Sequence, residues 1–271
     1  MKPFTEQWHF DLLTLLLVSG IIYLYWLITG FRSFKNYICF LLVLVLFVIA
    51  EFSPLQSLGM RYFSVHMISH VVILLICGPL LMTALRVKDS SPLNGKLYKL
   101  SFFFCRHSWL AWLSGVGIMW FWHIPFIFDG SMNTMDGSYN LIPVLQAASM
   151  LLAGMLFSWP IFGPFKSAHL PPLSGIVYLF TACISCSLLG LLITFAPLNT
   201  WHFYAAMDMP LNNPWNISLQ QDQQAAGLIM WVPCCFIYLS GCLYLLYRWF
   251  TASEQRIQVP FKLNTPLIHH D

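Results

Sequence analysis

The stretch Tyr62–Leu85, YFSVHMISHVVILLICGPLLMTAL, decides the fold. It contains no Asp, Glu, Lys or Arg. It is also long enough to cross roughly 30 Å of hydrocarbon, which takes about 20 helical residues. Period-two alternation is absent, and backbone groups in lipid must be satisfied within their own segment, so an α-helix is expected. Six further apolar segments flank it, at Phe10–Gly30, Tyr37–Phe52, Trp109–Phe128, Leu141–Phe162, Leu173–Ala196 and Ala225–Phe250. The 271-residue chain is 58% hydrophobic and 8% charged, with a mean hydropathy of +0.70. A soluble domain would carry roughly a quarter of its residues as charged side chains. The expectation is an all-α polytopic membrane bundle of seven transmembrane helices. Residues 1–271 would form a single integral-membrane domain, with 251–271 as a cytoplasmic tail. The first segment lacks a basic leader and a small-residue cleavage site, so it reads as a span and not as a signal peptide.

Charge sorting orients the bundle. Arg32 and Lys35 follow the first segment, and Arg86, Lys88, Lys96, Lys99 and Arg106 follow the third. Lys166 follows the fifth, and Arg248, Arg256 and Lys262 end the chain. Only Lys2 and Arg61 fall on the other side. Positive charge gathers on the cytoplasmic side, so the N-terminus is expected outside and the C-terminus inside. Glu51, Asp129, Asp136, Asp208 and Asp222 then lie at outer helix ends or in outer loops.

Within Tyr62–Leu85, His66 and His70 stand one helical turn apart and share a face. An ionisable group in hydrocarbon is costly, faces the bundle interior and marks a pathway or ligand site. His123 reaches the same outer leaflet from the fourth segment, and Asp222 and Met230 reach it from the seventh. Imidazole suits copper, zinc and iron, while thioethers favour Cu(I). The expected metal site is therefore His66, His70, His123, Met67, Asp222 and Met230, holding copper as Cu(I). Met67 points about 100° away from His66 and is its weakest member. The bland alternative is that each histidine bonds a nearby carbonyl. His202 reads as a loop residue, and His9, His107, His169, His269 and His270 as solvated ones.

Cys183-x-x-Cys186 and Cys234-Cys235 fall in the middle of the sixth and seventh segments. They read as small packing residues, since free Cys behaves as a buried hydrophobe; a soft relay for Cu(I) is the alternative. Trp8, Trp122, Trp201 and Trp215 suit an outer aromatic belt. Pro79, Pro125, Pro160 and Pro233 should kink or end helices. The His66–His70 pair lacks the glutamate of a zinc-protease motif, so no enzyme is indicated. The sparse mid-span charge and the lack of an inverted repeat speak against a transporter.

Several stretches together resemble one family. They are Phe63-Ser-x-His66-Met67-x-x-His70, Gly78-Pro79-Leu80, Trp122-His123-x-Pro125, Gly154-x-x-Phe157-x-Trp159-Pro160 and Asp222-Gln-Gln-x-Ala-Gly-Leu-Ile-Met-Trp-Val-Pro233. The pattern is similar to the multi-span CtaG-type cytochrome c oxidase assembly factors. These are distinct from the single-span copper chaperones that share the name. The resemblance implies a bacterial inner-membrane protein that matures haem–copper oxidases, at the Cu-B centre. Its partners would be an oxidase subunit, a periplasmic copper carrier and the lipid bilayer, with no nucleic acid. Members often carry a histidine ahead of the glycine matching Gly154; here the stretch is Gln146-Ala-Ala-Ser-Met150, and Met150 is the available substitute. A b-type haem held between His66 or His70 and His123, in a membrane redox subunit, is the alternative reading.

Overall fold

The computed structural model describes residues 8, 12–30, 33–85, 93–133, 141–206 and 215–263, with side chains as far as Thr251. Lys2, Arg32, Arg86, Lys88, Asp136, Asp208, His9, His269 and His270 lie outside the described residues. The described residues are helical and contain no strand. Helices α1 (Leu12–Thr29) and α2 (Phe34–Phe52) lead into a short α3 (Pro54–Gly59). The third span is α4 (Phe63–Val71), a π turn over Val72–Cys77, and α5 (Gly78–Ala84). There follow α6 (Asn94–Arg106), α7 (Ser108–His123), α8 (Pro125–Asn133), α9 (Leu141–Phe162), α10 (Pro172–Phe195), the one-turn α11 (His202–Ala205) and α12 (Leu219–Leu263).

Six of these spans are long and apolar enough to cross a membrane, or seven if α7 and α8 count as one span bent by 69°. The segment expected at Trp109–Phe128, with a kink or end at Pro125, is two helices that meet at Ile124. Pro125 is the cause: it forces the residue before it out of the helical region, and Ile124 is extended at φ −60°, ψ 124°. Pro79 acts more gently. It has no N–H to offer the carbonyl four residues back, and the third span widens so that Gly78 N–H bonds to Ile73 O.

The last helix begins at Leu219, six residues before the expected Ala225. Ser218 and Gln221 form a reciprocal cap: Ser218 N–H donates to Gln221 Oε1 at 2.8 Å, and Gln221 N–H donates to Ser218 Oγ at 3.2 Å. The helix then continues past Phe250 into the stretch read as a tail.

Small residues set the closest crossings, as in membrane bundles where backbones approach at glycine. At Gly227 on α12, a Cβ would stand 2.5 Å from Gly190 O on α10, with Thr194 Oγ1 also in its way. At Gly78, a Cβ would stand 2.5 Å from the backbone of Gly154 on α9. The outward faces of α1, α2, α10 and α12 leave large apolar side chains exposed, among them Leu16, Leu41, Val177 and Phe236. Trp122 and Trp201 are not part of such a surface. Both are buried, Trp122 donating to Ser149 Oγ at 2.9 Å and Trp201 to His123 O at 3.4 Å.

One buried charge ties the bundle together. Asp222, wholly buried on α12, accepts Phe63 N–H at 2.6 Å, Ser64 N–H at 3.2 Å and the Ser64 hydroxyl. It therefore caps the N-terminus of α4 from another helix, where a negative charge is favoured. Its neighbour Gln223 donates Nε2–H to Ile193 O at 3.0 Å and Ala196 O at 2.8 Å, closing the C-terminal end of α10.

Two outcomes follow. Gly227→Leu is expected to force α10 and α12 apart and abolish the monodisperse folded species in detergent gel filtration; an unchanged elution profile counts against the close crossing. Asp222→Ala, which leaves two buried N–H groups unmet, is expected to lower stability by about 3 kcal/mol. Asp222→Asn should lose less, both read as thermal midpoints in detergent.

Candidate metal centre

The cap aims α4. His66 and His70 occupy its first two turns, and both are buried. Their ring centroids lie 4.4 Å apart, edge to face. His123, the last residue of α7, brings its ring to 5.2 Å from that of His70. The rings predicted to converge are therefore gathered at the end of the bundle where α4 and α12 begin and α7 finishes. Phe128 of α8 packs at 5.4 Å from His66 and seals that side, with Phe63, Trp201 and Tyr204 beyond it. The Tyr204 hydroxyl bonds Gly59 O and holds α11 over α3.

Hydrogen bonds distinguish the three imidazoles. His123 Nδ1 lies 2.6 Å from Met119 O. A carbonyl only accepts, so Nδ1 carries the proton and Nε2 presents a lone pair. That lone pair points at Met67 Sδ, 3.2 Å away. Thioether sulfur has no hydrogen either, so no proton sits between the two atoms. Met67 is fully buried and meets His123 on the neighbouring helix, although it diverges from His66 on its own. His66 Nε2 and His70 Nδ1 are buried with no hydrogen-bond partner.

Both of these nitrogens belong to residues lining a chamber of about 40 Å³ between α2, α3, α4 and α9. Glu51, Gln56, Gln146 and Met150 line it too. Gln146 Nε2 is likewise buried and unpartnered. Sequence reading placed Glu51 at an outer helix end and treated the Gln146–Met150 stretch as a departure. It did not place these residues around one space. The available signal was helical spacing: Gln146 and Met150 stand one turn apart, as His66 and His70 do.

The Asp222 carboxylate is taken up by the α4 cap. Met230 is buried on α12, and its carbonyl faces Cys186 Sγ at 3.8 Å. Among the described residues, no three His, Cys, Asp or Glu side chains are poised together to hold a metal ion. What the structure assembles is a mixed set of imidazole and thioether donors.

The other described histidines have local partners. His202, exposed, sits on Asp129, whose carboxylate also accepts the N–H groups of His202 and Phe203 at 3.1 Å each and so starts α11. His169 is only half exposed and donates Nε2–H to Gly163 O at 2.8 Å, which corrects its reading as solvated. Burial, with help from Arg248 and Lys166, pulls its pKa below the usual imidazole value. A second, apolar groove of about 720 Å³ runs along α10 at the α7–α8 elbow, from Phe195 and Leu188 to Trp120 and His123.

Comparison with curated proteins and with solved structures returns no match. The family model described as cytochrome c oxidase caa3 assembly factor matches residues 21–252, from within α1 to within α12, and includes His66, Met67, His70 and His123. This multi-pass helical chain belongs to the cytochrome c oxidase caa3 assembly factor family.

Proposed function

We propose that the chain handles Cu(I) as cargo for the Cu-B centre of a haem–copper oxidase, through Met67, His123, His70 and His66, without itself catalysing a reaction. One observation carries the reading. His123 Nε2 and Met67 Sδ face each other at 3.2 Å with lone pairs on both and no hydrogen between them. Neutral imidazole nitrogen and thioether sulfur are the donors that favour Cu(I) over harder cations. The unpartnered nitrogens of His66 and His70 supply further donors close by. Met119 O holds the His123 tautomer, the kind of outer partner that metal-bound histidines ordinarily have.

Asp222 supports this site from outside it by fixing the start of α4. Sorting of the basic residues orients the cluster toward the extracytoplasmic face of a bacterial inner membrane. There it would receive copper from a periplasmic carrier and pass it to an oxidase subunit.

Haem fits less well. The larger groove reaches His123 but is lined by neither His66 nor His70, and the chamber that those two line is about 40 Å³. That is room for a water molecule or an ion, not for a macrocycle.

The test is Cu(I) binding by purified protein in detergent under reductant, against a competing chelator. Met67→Leu and His123→Gln are each expected to weaken binding at least about tenfold, the equivalent of 1.4 kcal/mol. The double change His66→Ala/His70→Ala should weaken it further. Wild-type affinity in all three folded variants would overturn the reading. A reduced spectrum with a sharp α-band near 560 nm would favour haem instead.

A further inference from the structure

Four cysteines that this function leaves unused meet between α10 and α12. Cys183 and Cys186 lie one turn apart on α10, and Cys234 and Cys235 are adjacent on α12. All four are free thiols. Cys183 Sγ is 3.5 Å from Cys235 Sγ, and Ser187 Oγ stands 3.4 Å from the same Cys235 sulfur. Cys186, fully buried, holds its Sγ 3.4 Å from Met119 Sδ of α7 and 3.8 Å from Met230 O of α12, the helix that also carries Cys234. Met119 is the residue whose carbonyl fixes the His123 tautomer. Met119 thus touches both groups, its carbonyl accepting from His123 Nδ1 and its Sδ meeting Cys186 Sγ. Met67 Sδ meets His123, His123 is bonded to Met119, and Met119 Sδ meets Cys186.

We propose that Cys186 Sγ and Met119 Sδ form a second site for a soft monovalent cation, one step deeper in the bundle, with Cys234 beside it. The site rests on the Cu(I) reading for its cargo but on different atoms. Charge favours this pair. In the bundle interior an uncompensated charge is expensive. One thiolate cancels the single positive charge of Cu(I) or Ag(I), and the thioether adds a bond but no charge, so the loaded site is neutral. A bis-thiolate pair would leave a net negative charge. Binding breaks the Cys186 S–H bond, forms metal–sulfur bonds to Cys186 and Met119, and releases one proton to solvent. No electron moves. Packing of small apolar side chains accounts for buried cysteines. It does not call for a thiol on α10 against a thioether on α7, next to the residue that orients His123.

The experiment is a titration of the full chain in detergent with Ag(I), a redox-inert probe, under a phosphine reductant. Bound metal is counted by native mass spectrometry. The wild type is expected to take two equivalents, and Cys186→Ala and Met119→Leu one each. Met67→Leu should also take one, bound by sulfur at the deeper site, as X-ray absorption on the Cu(I)-loaded variant would show. Two equivalents retained in monodisperse Cys186→Ala and Met119→Leu overturn the second site and leave the outer one standing. Loss of one equivalent in those variants, with Met67→Leu and His123→Gln unchanged from wild type, supports the deeper site and overturns the outer one. A wild type that takes a single equivalent without sulfur in its coordination sphere also overturns the deeper site.

Discussion

The buried carboxylate of Asp222 is the constraint on which the rest depends. A lone carboxylate inside a membrane bundle is costly, and it is retained here because the free N–H groups at the start of α4 receive it. The cost and the benefit fall on one geometry. The carboxylate is stable only if α4 begins at Phe63, and α4 begins there because the carboxylate is present. That fixes the rotation and height of α4, and so the direction in which His66, Met67 and His70 point. Gln221 and Gln223 flank the same position, one closing the N-terminus of α12 and the other the C-terminal end of α10. Three consecutive side chains thus set three helix ends in register.

Given that frame, the chemistry of the cluster comes from a shortage of protons. In most buried polar clusters each lone pair finds a hydrogen. Here Met119 O takes the Nδ1 proton of His123, leaving Nε2 against a thioether, while one nitrogen each on His66 and His70 finds no donor or acceptor. At the Met67–His123 contact the deficit is one of lone pairs facing each other rather than of unmet N–H groups. The opposite end of the bundle carries the contrasting chemistry, with Lys166 and Arg248 near His169.

Much of this was legible in the sequence. Apolar runs located the spans because only helices cross lipid unaided, and the i, i+4 spacing of His66 and His70 predicted a shared face. His123 followed from matching depth. The misses have physical causes. Pro125 announced a break, but a linear reading could not tell a kink from a 69° turn. The early start of α12 was written in Ser218-x-x-Gln221, a cap signature masked by the polar character of the following residues. Met67 was ranked low because its angle was judged on one helix, whereas its partner lies on another. Asp222 was grouped with the histidines by depth, and depth alone does not show that its carboxylate receives the N–H groups at the start of α4. Glu51 and Gln146 belong to α2 and α9, and only their tertiary convergence makes them neighbours.

The glycines explain why a polar cluster can be held at all in such an apolar chain. Association of helices in lipid gains little from the hydrophobic effect, so close backbone approach must supply the attraction. Gly78 against Gly154 locks the lower half of the third span onto α9, and Gly190 against Gly227 locks α10 onto α12. They join α5 to α9 and α10 to α12 through backbone approach. The same logic extends to the sulfur pairs. Cys186 sits one turn before Gly190 on α10, and Cys234 two turns after Gly227 on α12. The crossing that brings the backbones together is therefore what sets thiols from two helices and a thioether from a third at contact distance.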